Sequence, residues 1–304
     1  MSTTNRASLL TKIHKVLKRT YKHTPLKGDQ VLLDSLLFAA CLENARHDAA
    51  LKAYDTLKRA FFDWNEIRVS TVKELAEVIS DLPDSNDAAT RVKGILQSVF
   101  ESDYSFDLEH LKKQNLGVAV KRLQKLQGGT PFVVAYATQT ALAGHAIPVD
   151  KGTLGALYVL GVINEAEAEA GNVPGMERAI PKSKGQEFGA LLHELGADFF
   201  NNPFSTNVRE QLLSIAPDAK ERFPKRVTKK AVAETPPAAP PERPADSKKK
   251  DGKRDAGKEA AAAKKQKIEK APARTAKAAP PPKKKPSPPA KKPPAKALSK
   301  RKPR

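Results

Sequence analysis

Apolar residues along most of this chain recur with the three- and four-residue spacing of an amphipathic α-helix. The clearest example runs from Ala89 to Phe100, where apolar side chains fall at i, i+3, i+4 and i+7. Similar stripes predict helices that end near Leu42, that run from Ala49 to Phe61 and from Leu116 to Gly128, and that run from Asp150 to Leu160. The pair Phe61-Phe62 is expected to pack in the core, because the neighbouring pattern is amphipathic. No stretch shows convincingly the alternating pattern, bounded by turn residues, that marks a strand. The pattern therefore predicts an all-α fold.

Two local signals place helix starts. Thr71-Val72-Lys73-Glu74 has the spacing of a capping box, in which the threonine and glutamate side chains each bond a backbone amide of the first turn. Thr130-Pro131 is a favourable pair for the N-cap and the first helical position. From this pair we expect a helix that runs to about Ala143 and stops at Gly144.

The N-terminal segment allows two interpretations. Its basic residues precede the first acid, Asp29, which is a feature of transit peptides. The apolar stripe from Leu9 to Leu17 is typical of a core-facing helix, and we favour this second interpretation. No apolar run approaches the roughly 20 residues of a transmembrane helix. We expect a protein that is not secreted and has no membrane partner, cytoplasmic or nucleoid-associated in a bacterium and nuclear in a eukaryote.

The positive charge is concentrated at one end of the chain. The 304 residues carry a net charge of +20, and the segment 225–304 holds 27 basic and 7 acidic residues. Residues 1–224 therefore hold 27 of each sign and are neutral overall. The last 80 residues also contain 15 of the 24 prolines and no Phe, Trp or Tyr, so they cannot bury a core.

This composition predicts two regions. Residues 1–224 form the folded part, and 225–304 form a disordered Lys/Ala/Pro-rich tail similar to those of linker-histone-type proteins. Lysines on such a tail would bind DNA phosphates without regard to sequence. The alternative is a solubility or targeting appendage, and the charge favours DNA binding.

Cysteine and histidine counts exclude several site types. The single cysteine, Cys41, excludes a disulfide scaffold, a thiolate zinc site and a four-cysteine iron–sulfur cluster. The six histidines are scattered with no i, i+4 pair, so no metal site is predicted. We therefore expect no cofactor.

A short turn between two predicted helices is the strongest candidate for a binding motif. Leu126-Gln127-Gly128-Gly129-Thr130 joins them in a candidate helix–hairpin–helix. Small residues in such a turn let backbone amides approach a DNA phosphate, and the N-terminus of the second helix faces the same anion. A plain pair of antiparallel helices gives the same pattern.

The span from about Leu33 to Gly196 resembles the helix–hairpin–helix DNA glycosylase superfamily, and within it the endonuclease III branch. Residues 126–132 fall where that family has Leu-Pro-Gly-Val-Gly-Arg-Lys, and the spacing onward to Ile147-Pro148-Val149-Asp150 matches its Ile-Ala-Val-Asp. Cys41-Leu42-Glu43-Asn44-Ala45 lies where the family has Leu-Ser-Ala-Gln-Ala, which wedges into DNA. Further along, Ile180-Pro181 and Leu195-Gly196 match the spacing of its Val-Pro and His-Gly.

The resemblance implies a fold of two helical lobes. The first lobe spans about 26–144, and the second joins residues 1–25 to 145–224. It also implies that Asp150 is catalytic, a role in which a carboxylate activates water and stabilises the developing sugar cation. The alternative role for Asp150 is a helix N-cap, and the two roles are compatible.

The chain departs from the family at several positions. Bifunctional members form a Schiff base through a lysine where this chain has Phe132, which cannot act as a nucleophile. Lys151-Gly152 replaces the Thr-His that follows the family's aspartate. Phe200, Ser205 and Val208 occupy the approximate positions of its cluster cysteines, so an iron–sulfur cluster is expected to be absent.

The resemblance also assigns DNA contacts. Gly128, Gly129 and Thr130 would hold a phosphate, and Asn44 would fill the gap in the duplex. Arg46 has two interpretations of equal weight, a phosphate contact and a solvated residue at a helix start. Lys151 has three, a substitute amine nucleophile, a phosphate contact and a solvated surface lysine, and we favour the last.

Together these features predict a monomeric base-excision DNA N-glycosylase that binds damaged or mismatched duplex DNA. We expect it to be monofunctional, without efficient cleavage at abasic sites. The alternative is a non-catalytic DNA-binding or chromatin-architectural protein on a degenerate glycosylase fold.

Overall fold

The computed structural model describes residues 3–23 and 29–225. Within them the chain forms α-helices joined by short turns, with two 3₁₀ helices at Glu109–Lys113 and Pro217–Arg222. The α-helices, in chain order, are α1 Thr3–Thr20, α2 Leu32–Leu42, α3 His47–Ala60, α4 Trp64–Val69, α5 Val72–Val78, α6 Ser85–Asp103, α7 Leu116–Leu123, α8 Pro131–Thr140, α9 Lys151–Val159, α10 Glu165–Glu169, α11 Met176–Ala179, α12 Lys182–Asn201 and α13 Thr206–Ile215. No strand is present in these two ranges, so the all-α prediction is confirmed.

The predicted helix starts are confirmed, and two predicted ends are too late. Thr71 and Glu74 form both bonds of the capping box, and the Thr130 hydroxyl accepts from the amide of Val133 at 3.2 Å. Helix α7 ends at Leu123 and α8 ends at Thr140, each three or more residues before the predicted end. Tight turns take over at both places, and after α8 the backbone enters the left-handed region at Ala143 (φ 50°).

Two groups of buried apolar side chains hold these helices together. The first cluster draws on α2 to α8 and runs from Leu32 to Ala141. The second cluster joins α1 to the helices after residue 146, from Leu10 through Ile147 to Phe223. Each contains enough buried Leu, Ile, Val and Phe to act as a core, at roughly 1.5–3 kcal/mol for each such side chain. Helix α1 thus packs with the C-terminal helices rather than with its sequence neighbours.

One sequence prediction about the core is wrong, and the predicted tail lies outside the described residues. The Phe61-Phe62 pair was assigned to the core, but the Phe62 side chain is 96% exposed, so this assignment is wrong for Phe62. The basic tail beyond residue 225 lies outside the described residues. None of the described helices is both long enough and apolar enough to cross a membrane.

Candidate functional site

The predicted hairpin is a tight turn that packs its glycines against a neighbouring helix. Gly128 has a φ of +83°, which favours glycine, and a Cβ there would overlap the backbone of Arg91 on α6. The amide of Gly129 donates to Leu126 O and that of Thr130 donates to Gly128 O, both at 2.9 Å. These two amides are therefore bonded within the turn. The N-terminus of α8 carries the positive end of that helix's dipole.

A buried ion pair fixes the hairpin to the end of α2. The Thr130 hydroxyl donates to Glu43 Oε2 at 2.8 Å, and Arg91 Nε lies 3.3 Å from the same oxygen. Arg91 also donates twice to the carbonyl of Ala40, at 3.0 and 3.1 Å. Burial raises the pKa of Glu43, while Arg91, the Thr130 hydrogen bond and Lys151 lower it in part.

Helices α9 and α12 approach each other closely because glycines face each other across the contact. A Cβ on Gly152 would overlap the carbonyl of Gly196, and a Cβ on Gly196 would overlap Thr153. This close packing brings the start of α9, where Asp150 lies, beside His193 on α12.

The Asp150 carboxylate is completely enclosed by protein, with an exposed side-chain fraction of 0%. Its Oδ1 accepts from the Thr153 amide at 2.8 Å, which makes it the N-cap of α9. Its Oδ2 accepts from the Asn44 amide at 3.1 Å, and His193 Nδ1 lies 3.1 Å from the same oxygen. The Nδ1 contact falls outside good hydrogen-bond geometry and is best described as a close ion pair.

Electrostatics keep this buried carboxylate ionised. Burial alone would raise the pKa of Asp150, but the adjacent His193 ring and the Thr153 hydrogen bonds outweigh it and lower the pKa to about 2. Burial alone would likewise lower the pKa of His193, yet the Asp150 carboxylate raises it above the ordinary value. Both shifts favour an ionised carboxylate paired with a charged imidazolium.

The connection from α2 to α3, which we call the 43–47 loop, closes over this pair. His193 Nε2 donates to Ala45 O at 2.8 Å, and the amide of His47 donates to Glu194 Oε1 at 2.9 Å. Arg46 Nη1 donates to Asp198 Oδ1 at 2.8 Å. The loop follows α2, which packs in the first cluster, and the three partners named above lie on α12, which packs in the second. These bonds therefore link the helices of the two clusters.

A cavity of about 480 Å³ lies beside the closed loop. Its walls include Phe132, Tyr136 and Gln139 from α8, with Gly189 and His193 from α12. The Phe132 ring is tilted against the His193 ring with centroids 5.2 Å apart. Among the residues described, His193 both lines the cavity and contacts Asp150, while Asp150 is not part of the wall.

The structure brings together some of the predicted site residues. Thr130 is bonded to Glu43, and Gly128 and Gly129 form the adjoining turn. Lys151 is the first residue of α9 and directly follows Asp150. Asn44 was predicted to enter DNA, but it is 4% exposed and its amide is bonded to Asp150, so insertion requires the loop to open.

Arg46 and His193 complete the site. Arg46 is half exposed and already paired with Asp198 and Glu194, which leaves part of its guanidinium for a phosphate. His193 was missed from the sequence, where nothing distinguishes it from the other scattered histidines.

The residues present do not fit an iron–sulfur cluster. Cys41 is buried within α2, and Val208, at one of the approximate cluster positions, is buried in the second cluster. In the ranges 3–23 and 29–225, no three His, Cys, Asp or Glu side chains converge as a metal-ligand set.

Comparison with known proteins gives a likeness of fold. No family model matches the chain, and no curated protein matches it. Among solved structures, it is similar to a trapped endonuclease III–DNA covalent intermediate, with 15% identity, a TM-score of 0.48, and 74% of this chain and 100% of that chain covered. A thermostable thymine-DNA glycosylase gives 18% identity, a TM-score of 0.46, and coverage of 66% and 89%. The apo form of Clostridium acetobutylicum 8-oxoguanine glycosylase/lyase gives 16% identity and a TM-score of 0.45, with 64% of this chain and 71% of that chain covered.

Proposed function

We propose that this protein is a monofunctional DNA N-glycosylase that hydrolyses the bond between a damaged or mismatched base and its sugar. The observation that carries the proposal is the ionised carboxylate of Asp150, held at a helix start one side chain away from a cavity bounded by the second hairpin helix. The motif spacing around Asp150 resembles the endonuclease III branch and supports the same assignment.

Each part of the site has a role in this proposal. The start of α8 and Lys151 bind the DNA backbone, and the Gly128–Thr130 turn sets the position of that helix start. The base leaves the duplex and enters the cavity against Phe132 and Tyr136. The Asp150 carboxylate stabilises the positive charge that develops on the sugar as the base departs, and orients the attacking water.

Phe132 determines the fate of the abasic site left by base release. A benzyl side chain has no nucleophile, so no covalent bond to the sugar forms at this position. We expect abasic sites to persist until alkali or another enzyme cleaves them. Borohydride, which traps an enzyme–DNA imine, should yield no adduct with the wild-type protein.

A base-release assay tests the proposal directly. Full-length protein is incubated with duplexes that each carry one lesion or mismatch, and abasic sites are revealed with alkali on a gel. Asp150→Asn should slow release by about 100-fold or more. Asp218→Asn, which alters an exposed carboxylate bonded to Arg222, is the matched control and should be unchanged. Equal rates for wild type and Asp150→Asn would overturn the assignment.

The second candidate is a DNA-binding protein without catalytic activity. It is favoured by the complete burial of the Asp150 carboxylate, which here serves as an N-cap and a loop anchor. This candidate predicts no base release from any duplex and equal affinity for intact and lesion-bearing DNA. Titration of both duplexes, alongside the gel assay, separates the two functions.

A further inference from the structure

His193 is the group through which the cavity and the buried carboxylate are connected. It lines the cavity, it lies against the Phe132 ring, and its Nδ1 is 3.1 Å from Asp150. Any nucleotide in the cavity therefore meets this imidazole before it meets the carboxylate.

Both ring nitrogens of His193 face acceptors. Nε2 lies 2.8 Å from the carbonyl of Ala45, and Nδ1 faces a carboxylate oxygen. A carbonyl and an ionised carboxylate cannot donate, so an acceptor faces each nitrogen and this arrangement favours the doubly protonated ring. The raised pKa of His193 agrees with this geometry.

The 43–47 loop is held closed although one of its buried polar atoms has no partner. Asn44 sits at φ 65°, in the left-handed region that asparagine tolerates better than most non-glycine residues. Its side-chain Oδ1 is buried and has no hydrogen-bond partner in the described part of the chain, which costs free energy. Contacts with Asp150, His193 and Glu194 therefore maintain the closed position against this cost.

We infer that His193 is the positioning residue of this site: it keeps the 43–47 loop closed over Asp150, whose carboxylate reaches a nucleotide in the cavity when that contact opens. This inference rests on the proposed function and adds to it the step that gives access to the carboxylate. The protonated ring holds the loop carbonyl on one side and the carboxylate on the other, so losing its proton weakens the closed loop.

Several charged groups surround this ring and enter its titration. Asp150 faces it from α9, and Glu194 is its neighbour on α12. Arg46, from the loop, lies 3.6 Å from Glu194 and offsets that carboxylate. Glu43, whose charge interacts with that of Asp150, adds further negative charge. The two carboxylates near His193 favour its charged form, and closure should therefore weaken as pH rises through the His193 pKa.

Hydrogen exchange of the loop amides tests the inference on the full-length protein. The amides of Asn44 and His47 report closure because both are bonded to carboxylates of the site. His193→Gln can still donate to Ala45 but cannot carry charge, and should lower the protection of these amides at least about 10-fold. His14→Gln is the matched control, since His14 also pairs with a carboxylate, Glu187, at 3.1 Å, and should leave the loop unchanged.

Two further measurements start from the wild-type protein. Protection of the loop, corrected for intrinsic exchange, should fall as pH rises above the ordinary histidine value of about 6.5. This dependence should persist in His14→Gln and disappear in His193→Gln. A duplex with one tetrahydrofuran abasic analogue should also remove protection from the loop, while an intact duplex should not.

The outcomes separate this inference from the proposed function. Loss of loop protection with the tetrahydrofuran duplex, without base release from any lesion, supports the inference and rejects the glycosylase. Base release from a loop that stays fully protected with that duplex rejects the inference and keeps the glycosylase. A loop whose protection is independent of pH in the wild type also overturns the role assigned to His193.

Discussion

Replacing Asp150 with asparagine tests the energetics of the site more sharply than any other single change. Asparagine has the same shape, and its side-chain oxygen can still accept from the Thr153 amide as an N-cap. What it removes is the negative charge beside His193 and the charged acceptor for the Asn44 amide. The substitution therefore isolates the ion pair from the cap.

The pKa of Asp150 sets the magnitude. A drop from 3.8 to about 2 corresponds to about 2 kcal/mol of stabilisation by the ionised form. Because the folded-state pKa is the lower one, this contribution is present above the unfolded value of about 3.9 and is lost as pH falls through about 2. The pKa of His193 is shifted in the opposite direction. Its contribution to stability is therefore complete below about pH 6.5 and is lost as pH rises through its raised pKa.

Asp150→Asn should thus be less stable than wild type by about 2 kcal/mol between about pH 4 and about pH 6.5, with a smaller difference at alkaline pH. For a domain of this size the midpoint of thermal unfolding should fall by about 4–8 °C. Urea unfolding followed by circular dichroism gives the free energy. Glu187→Gln, at a partly exposed pair with His14 and Lys18, should cost less than about 1 kcal/mol. An Asp150→Asn protein as stable as wild type across this range would refute the ion-pair reasoning.

Other predictions concern DNA binding. Gly128→Ala should destabilise the protein by about 1–3 kcal/mol more than Gly171→Ala in urea unfolding, because both have positive φ but only Gly128 faces neighbouring backbone. Lys151→Ala should weaken duplex binding equally for all sequences and reduce the salt slope by about 1, while Lys220→Ala should not. Full-length protein should show a slope of log affinity against log salt near −7, if about eight tail residues contact DNA, against about −2 to −4 for residues 1–225. Equal slopes for the two chains would exclude DNA binding by the tail.

Local features of the fold could be predicted from the sequence because they depend on residues that are neighbours along the chain. The Thr71 capping box, the Thr130–Pro131 start and the N-cap role of Asp150 each need only a few positions, and all three are confirmed. Helix ends were placed less well, since a turn such as the one at Ala143 is selected by packing rather than by composition.

The burial of the candidate site could not be predicted from such local patterns. His193 meets Ala45 across 148 positions of the chain, and Asn44 meets Asp150 across 106. Contacts at such separation depend on how α9 packs on α12, which in turn depends on the Gly152 and Gly196 contact. Periodicity identifies which face of a helix is buried, but it does not identify which polar side chains meet there. For the same reason the exposure of Phe62 was missed.

Phe132→Lys provides the last and most direct test of how this site differs from one that carries a lysine at the same position. The new side chain would take the place of a ring that is 1% exposed and lies 5.2 Å from the His193 imidazole. Burial and the adjacent positive charge both favour the neutral amine, so the lysine pKa should fall and its nucleophilicity at neutral pH should rise. If a nucleotide enters the cavity as proposed, the amine can bond to the sugar C1′ as the base leaves. The C1′–O4′ bond then breaks to open the ring and form the imine, which borohydride reduces to a stable adduct.

We expect Phe132→Lys to form this adduct with a lesion-bearing duplex, while wild type and Phe132→Met form none. Placing an amine beside an imidazolium should also cost stability, by several kcal/mol if both remain charged. Thermal unfolding of the variant must therefore be measured first, and Phe132→Met reports the cost of losing the ring alone. A folded Phe132→Lys protein that binds the duplex yet yields no adduct would show that the sugar does not come within reach of α8. In that case the cavity is not where a nucleotide is processed, and the non-catalytic DNA-binding function would account better for the buried Asp150.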